Sequence, residues 1–173
     1  MPAPLVWLGL GLASLYASDS LTKAYQRTKG RVVYYPGESE LPVKPVNGAV
    51  VTCGIFGVFD HTGIWCDDHI VELKGNGLIR GVSPERFLHG RSGEKIYVAC
   101  DQADQPLIAP EAFQRASEQL FQYSRYHVLD NNCHRFVWQC LSGQRERLTR
   151  FTELNTRMCQ HFSTPIHWHV AKL

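Results

Sequence analysis

The chain has 173 residues, 44% of them hydrophobic and 20% charged, enough apolar material for one domain of ordinary size and too little length for two independent ones. This composition excludes global disorder, and a formal net charge of +2 without a basic cluster interleaved with aromatics excludes a nucleic-acid footprint. Six cysteines (Cys53, Cys66, Cys100, Cys133, Cys140 and Cys159) include no CxxC pair and no zinc-finger or ribbon spacing, so structural zinc is not expected and the thiols read as reduced, buried small residues.

Met1 to Ser18 carries no charged side chain, and Leu5 to Tyr16 is strongly apolar. As a helix these residues reach about 27 Å, close to the roughly 30 Å of a bilayer's hydrocarbon. The basic residues Lys23, Arg27, Lys29 and Arg31 follow the apolar run instead of preceding it, which favours a retained membrane anchor over residues 1–20 rather than a cleaved signal. The positive-inside rule then assigns the following domain to the cytoplasmic side, with Trp7 and Tyr16 as interfacial anchors. The alternative is a buried or partner-bound amphipathic helix, since Pro2, Pro4 and two glycines weaken a spanning one.

Residues 21–47 read as a linker and a first strand: Arg31 to Tyr35 is β-prone and stops at the turn pair Pro36-Gly37, and Glu38 to Asn47 is polar and punctuated by proline. Gly48 to Phe59 is a β-branched and aromatic run. His61-Thr-Gly-Ile-Trp-Cys66, Asp67-Asp68 and His69-Ile-Val-Glu-Leu73 then form a β-hairpin, provided that Asp67-Asp68 is its two-residue turn. Alternation in that register sets His61 on one face with Gly63 and Glu72, and His69 on the other with Cys66. Gly75 to Gly81 reads as loop, and Ser83 as the N-cap of a short helix that starts at Pro84. Lys95 to Cys100 is a further strand. Ala109 to Phe121 has helical periodicity, Asn131 to Leu141 begins a second helix closed by Gly143, and residues 144–173 read as a helical extension with a surface-lying, histidine-bearing end. Elements of this kind assemble as an α+β domain, helices packed on an antiparallel sheet.

The chemistry concentrates at Asn131-Asn132-Cys133. A cysteine in the first turn of a helix, after an asparagine cap, meets free backbone N–H groups and the positive end of the helix dipole, both of which favour thiolate. His61 is a candidate base, with Gly63 leaving room beside it. His167-Trp-His169 lacks carboxylates or cysteines at ligand spacing in the sequence, so no metal site is assigned to it. His127 and His134 flank the cysteine and are assigned ordinary hydrogen-bonding roles, tuning of its electrostatics being the alternative.

His61-Thr-Gly-Ile64-Trp65, then Ile70-Val-Glu72-Leu73, then Tyr126-His-Val-Leu-Asp-Asn-Asn-Cys133-His-Arg-Phe136-Val together resemble the lecithin:retinol acyltransferase family and its bacterial relatives, of the circularly permuted papain-like group. The resemblance covers roughly Asn47 to Gly143. It implies a permuted papain-like catalytic domain over residues 48–143, in which Cys133 is the nucleophile, His61 the base and Glu72 the third member, with no cofactor. Two departures stand out: Glu72 occupies the place of a second histidine found in animal members, and His134-Arg135 replace a Glu-His pair, a change expected to affect helix-surface contacts. The implied activity is cysteine-dependent acyl hydrolysis or acyl transfer on an acyl ester or amide, with a lipid acyl chain the preferred substrate. A peptidase or amidase of cell-wall or other peptides is the alternative within enzymes. A non-catalytic membrane-bound interaction module is the alternative outside them.

Overall fold

The computed structural model describes residues 4–173, with side chains from residue 13 onward except that of residue 15. Helix α1 (Pro4–Thr28) is followed by strands β1 (Val32–Tyr34), β2 (Pro42–Val43), β3 (Val50–Ile55), β4 (Phe59–Cys66), β5 (His69–Leu73) and β6 (Ile79–Val82). Helix α2 (Pro84–Leu88), strand β7 (Tyr97–Cys100), helices α3 (Ala112–Glu118), α4 (Cys133–Ser142) and α5 (Phe151–Phe162), and strand β8 (Ile166–Ala171) complete an α+β arrangement.

The eight strands form one sheet in the order β1-β8-β7-β3-β4-β5-β6, with β2 also paired to β8. It is mixed, not wholly antiparallel as expected: β1 and β2 run parallel to β8, while the rest is antiparallel. The cause is the C-terminal segment: its helix forms as expected, as α5, but the histidine-bearing end is a strand and not a surface tail. β8 lies between β1 and β7, with Trp168 fully buried, so the chain's end completes the core. Alternation along the strands sorts two apolar clusters. Val50, Ile64, Val71 and Ala99 pack with Phe136, Val137, Leu154 and Trp168 under the helices, whereas Val51, Trp65, Ile70 and Val98 pack with Phe87 of α2.

The β4–β5 turn is the expected two-residue one. Asp67 and Asp68 both have positive φ (46° and 61°), as a tight hairpin of the primed type requires, and Cys66 pairs with His69, Trp65 with Ile70 and Ile64 with Val71. The segment read as loop up to Gly81 contributes β6, in which Arg80 pairs directly with Glu72. Gly63 does not open space for a substrate. A Cβ there would meet Ile70 Cγ2 at 2.5 Å and the Val71 carbonyl oxygen at 2.9 Å, so its missing side chain is filled by the neighbouring strand.

The beginning of the presumed linker is helical through Thr28 and docked. Buried Gln26 donates from Nε2 to the Thr152 carbonyl (2.6 Å) and Thr156 Oγ1 (2.8 Å), and accepts a hydrogen bond from the Tyr35 hydroxyl. Trp7 and most side chains of residues 1–20 lie outside the described residues, while Tyr16 is exposed. Among the described residues no helix is long and apolar enough to cross a membrane.

Candidate active site

Helix α4 begins where its cap predicts. Asn132 is in extended conformation (φ −115°, ψ −177°) and its Oδ1 accepts from the Arg135 N–H at 3.0 Å. Its Nδ2 donates to the carbonyls of Val128 (2.8 Å), Leu148 (2.8 Å) and Thr149 (3.2 Å), which ties the helix start to the segments before α4 and α5. Gly143, at φ 75°, ends the helix with a left-handed cap. Cys133 thereby sits buried in the first turn, its Sγ 4.0 Å from the carbonyl of Asp60, the residue before His61.

The three residues singled out by sequence come together. His61 Nε2 lies 2.7 Å from Glu72 Oε2, and its ring neighbours the Cys133 thiol closely enough that each shifts the other's ionisation. The structure brings Glu72, and not His69, to this histidine. His69 is exposed on the opposite face and its Nδ1 reaches only the Asp67 carbonyl, at 2.9 Å. Phe87 packs against the His61 ring with centroids 5.2 Å apart, fixing its tilt.

Burial opposes ionisation of Cys133, but the charges of His134 and His61 and hydrogen bonds from both outweigh it and hold the thiol well below its ordinary value of 9.0. Burial likewise disfavours a charged His61, yet the Cys133 charge and hydrogen bonds with Cys133 and Glu72 raise its pKa. Glu72 is the anchor of this pair. Although fully buried, it is held down to about 2 because His61, Arg91 and Arg80 overcome the cost of burial. Arg80 donates from Nε and Nη2 to Oε1 at 2.9 and 2.8 Å, and Arg91 from Nη2 to Oε2 at 2.8 Å. A carboxylate gripped by two guanidinium groups stays ionised across the physiological range and keeps the imidazole oriented.

Five further residues take part, of which the sequence had named only Tyr126, within the motif, and His134, as a neighbour able to tune the cysteine's electrostatics. Arg80 and Arg91 reach Glu72 through the β5–β6 register and the loop after α2. His134 is buried, not on the helix surface, with Nδ1 3.1 Å from Thr62 Oγ1 and 3.9 Å from Cys133 Sγ. Tyr126 directs its phenol to the Cys133 side chain and backbone, and burial together with the Cys133 charge raises its pKa. Asp60, beside Lys23 of α1 and His134, is pushed up to about 6, chiefly by burial. The tyrosine in the turn before the cysteine and the histidine next to it were the available sequence signals; nothing local marked Arg80, Arg91 or Asp60. The five other cysteines are unpaired, Cys159 being the least buried.

Comparison with protein-family models and with curated protein sequences found no match to this chain.

Proposed function

We propose that this chain is a cysteine-dependent acyl hydrolase or acyltransferase of the permuted papain-like type, acting on a lipid-derived acyl ester or amide. The observation that carries the reading is the buried Cys133–His61–Glu72 cluster at a helix N-terminus, with Glu72 on Nε2 of the imidazole and the thiol coupled to the same ring. Nucleophile, base and orienting carboxylate in that sequence of contacts are what nucleophilic acyl chemistry requires. In the first step the Cys133 thiolate attacks the acyl carbonyl, and the C–S bond forms as the oxyanion develops. The Cys133 N–H and the Tyr126 hydroxyl, which face each other at the thiol, would turn to that oxyanion, each such donor being worth about 3 kcal/mol. Collapse breaks the bond to the leaving alcohol or amine, which takes the His61 proton. His61 then removes a proton from water or an acceptor hydroxyl or amine, which attacks the thioester and restores the thiolate.

A lipid acyl donor is supported by exposed Phe56 and Phe59 at the β3–β4 turn, next in sequence to Asp60, and by exposed Val128 and Leu129 in the turn before Cys133. The apolar residues 1–20 favour a membrane-associated location for such a substrate. Intact-mass analysis after incubation with phospholipid vesicles, and separately with peptidoglycan fragments, tests the proposal. A fatty-acyl adduct that is absent from Cys133→Ala is expected. A peptidyl adduct from the second incubation alone would replace the lipid reading with an amidase, and no adduct from either, under conditions where Cys133 alkylates, would end the enzymatic reading.

A further inference from the structure

A second cluster of chemistry-bearing side chains lies on β8, separated from β4 by β7 and β3. His167 and His169 are two apart on the strand and so project from one face. The loop after β7 turns Asp104 toward them. That loop is tightly built: Asp101 Oδ1 accepts the N–H groups of Ala103 (2.8 Å) and Gln105 (3.0 Å), and Asp104 itself is left-handed at φ 58°. Asp104 Oδ1 is 2.8 Å from His169 Nε2 and 3.3 Å from His167 Nδ1, and the three groups offer ligand atoms all within 4.8 Å of one another.

Zinc bonds of about 2.0–2.1 Å in tetrahedral array separate neighbouring ligand atoms by about 3.4 Å; the two Asp104–histidine distances need only sub-ångström adjustment to reach this, and the two imidazole nitrogens lie within 4.8 Å of each other. The surroundings suit one. His169 is only 2% exposed, and its far nitrogen Nδ1 is held by Ser39 Oγ at 2.7 Å, the outer contact that fixes tautomer and ring orientation for a ligating histidine. The Tyr34 ring stands edge-on to His167 with centroids 5.4 Å apart. The Asp104 side chain is 44% exposed and leaves solvent access on one side. Two imidazoles and one carboxylate select borderline transition cations over calcium or magnesium, which take oxygen ligands. Cys100, opposite His167 on the same face, points its thiol at the Val98 carbonyl (3.7 Å) and is not one of the three groups whose ligand atoms converge.

We infer that Asp104, His167 and His169 form a site for a divalent first-row transition cation of the zinc type, bound through Oδ1, Nδ1 and Nε2 with water completing the coordination. Such an ion joins β8, the β7 loop and, through Ser39, the segment before β2. The test is a titration of chelator-treated, tag-free full-length protein with Co2+, followed by visible absorption, and then displacement by Zn2+. One equivalent of Co2+ is expected to develop d–d absorption that one equivalent of Zn2+ abolishes, with Cys133→Ser behaving as the wild type. Asp104→Asn and His167→Gln, both at partly exposed side chains and checked for folding by circular dichroism, should each weaken binding tenfold or more. Absent d–d absorption at stoichiometric Co2+, unchanged affinity in both variants, or near-ultraviolet thiolate-to-cobalt charge transfer would each overturn the assignment.

Discussion

Glu72→Gln removes one charge from a buried junction of four donated hydrogen bonds. The amide keeps the carboxylate's shape, but its NH2 faces donors from Arg80 or from His61 and Arg91, and two guanidinium groups lose their counter-charge. The depression of the Glu72 pKa from 4.5 to about 2 corresponds to about 3 kcal/mol of folded-state stabilisation. Breaking one side of a buried ion pair independently gives about 3–5 kcal/mol. At roughly 2–4 °C per kcal/mol for a chain of this size, the unfolding temperature at pH 7 should fall by about 10 °C. The sign with pH follows from a depressed carboxyl: the contribution is complete above pH 4.5 and lost as pH falls toward about 2, so wild type and variant should converge across that window. Turnover should drop by about 10²–10⁴, as when the orienting carboxylate of another triad is amidated. His69→Gln, on the exposed face, is the control and should leave both quantities near wild type. Thermal unfolding by circular dichroism between pH 7 and pH 2.5, with adduct turnover by mass spectrometry, measures all of this. A Glu72→Gln protein melting within about 2 °C of wild type at pH 7, or a gap that persists unchanged to low pH, would refute the reasoning.

Brief iodoacetamide treatment near neutral pH should label Cys133 first, because burial pushes Cys53, Cys66, Cys100 and Cys140 up to about 12 and also raises Cys159; earlier labelling of Cys159 by peptide mapping counts against a Cys133 thiolate. His134→Asn removes the strongest attractive charge on that thiol, so the pH profile of Cys133 alkylation should move upward, and an unmoved profile would exclude His134 from the site. Gly63→Ala forces a Cβ into Ile70 and the Val71 carbonyl and should cost about 1–3 kcal/mol in urea unfolding, with a neutral result disproving the close approach of β4 and β5. Gln26→Ala leaves the Tyr35 hydroxyl and the Thr152 carbonyl short of a buried partner and should cost about 2 kcal/mol; a loss below about 0.5 kcal/mol would mean that α1 is not docked on α5.

Local chemistry was legible in the sequence because its causes lie within a turn or a hairpin. Asn132 and Gly143 mark both ends of α4 by capping geometry, and Asp67-Asp68 sets a register in which side-chain alternation alone separates Glu72 from His69. The juxtaposition of Cys133 with His61 came from motif resemblance, since nothing local relates residues 72 positions apart. What only the tertiary structure decided are pairings across the sheet. Arg80 meets Glu72 because β6 exists, and three glycines within Gly75–Gly81 had hidden that strand. His134 is buried because α4 lies against Thr62, and Asp104 finds His167 and His169 because β8 inserts beside β7 instead of ending the chain on the surface. β8 is interrupted by two histidines, so its strand signal is weak; Trp168 and the apolar surface between β1 and β7 make it a core strand, a preference that arises only once those neighbours are assembled.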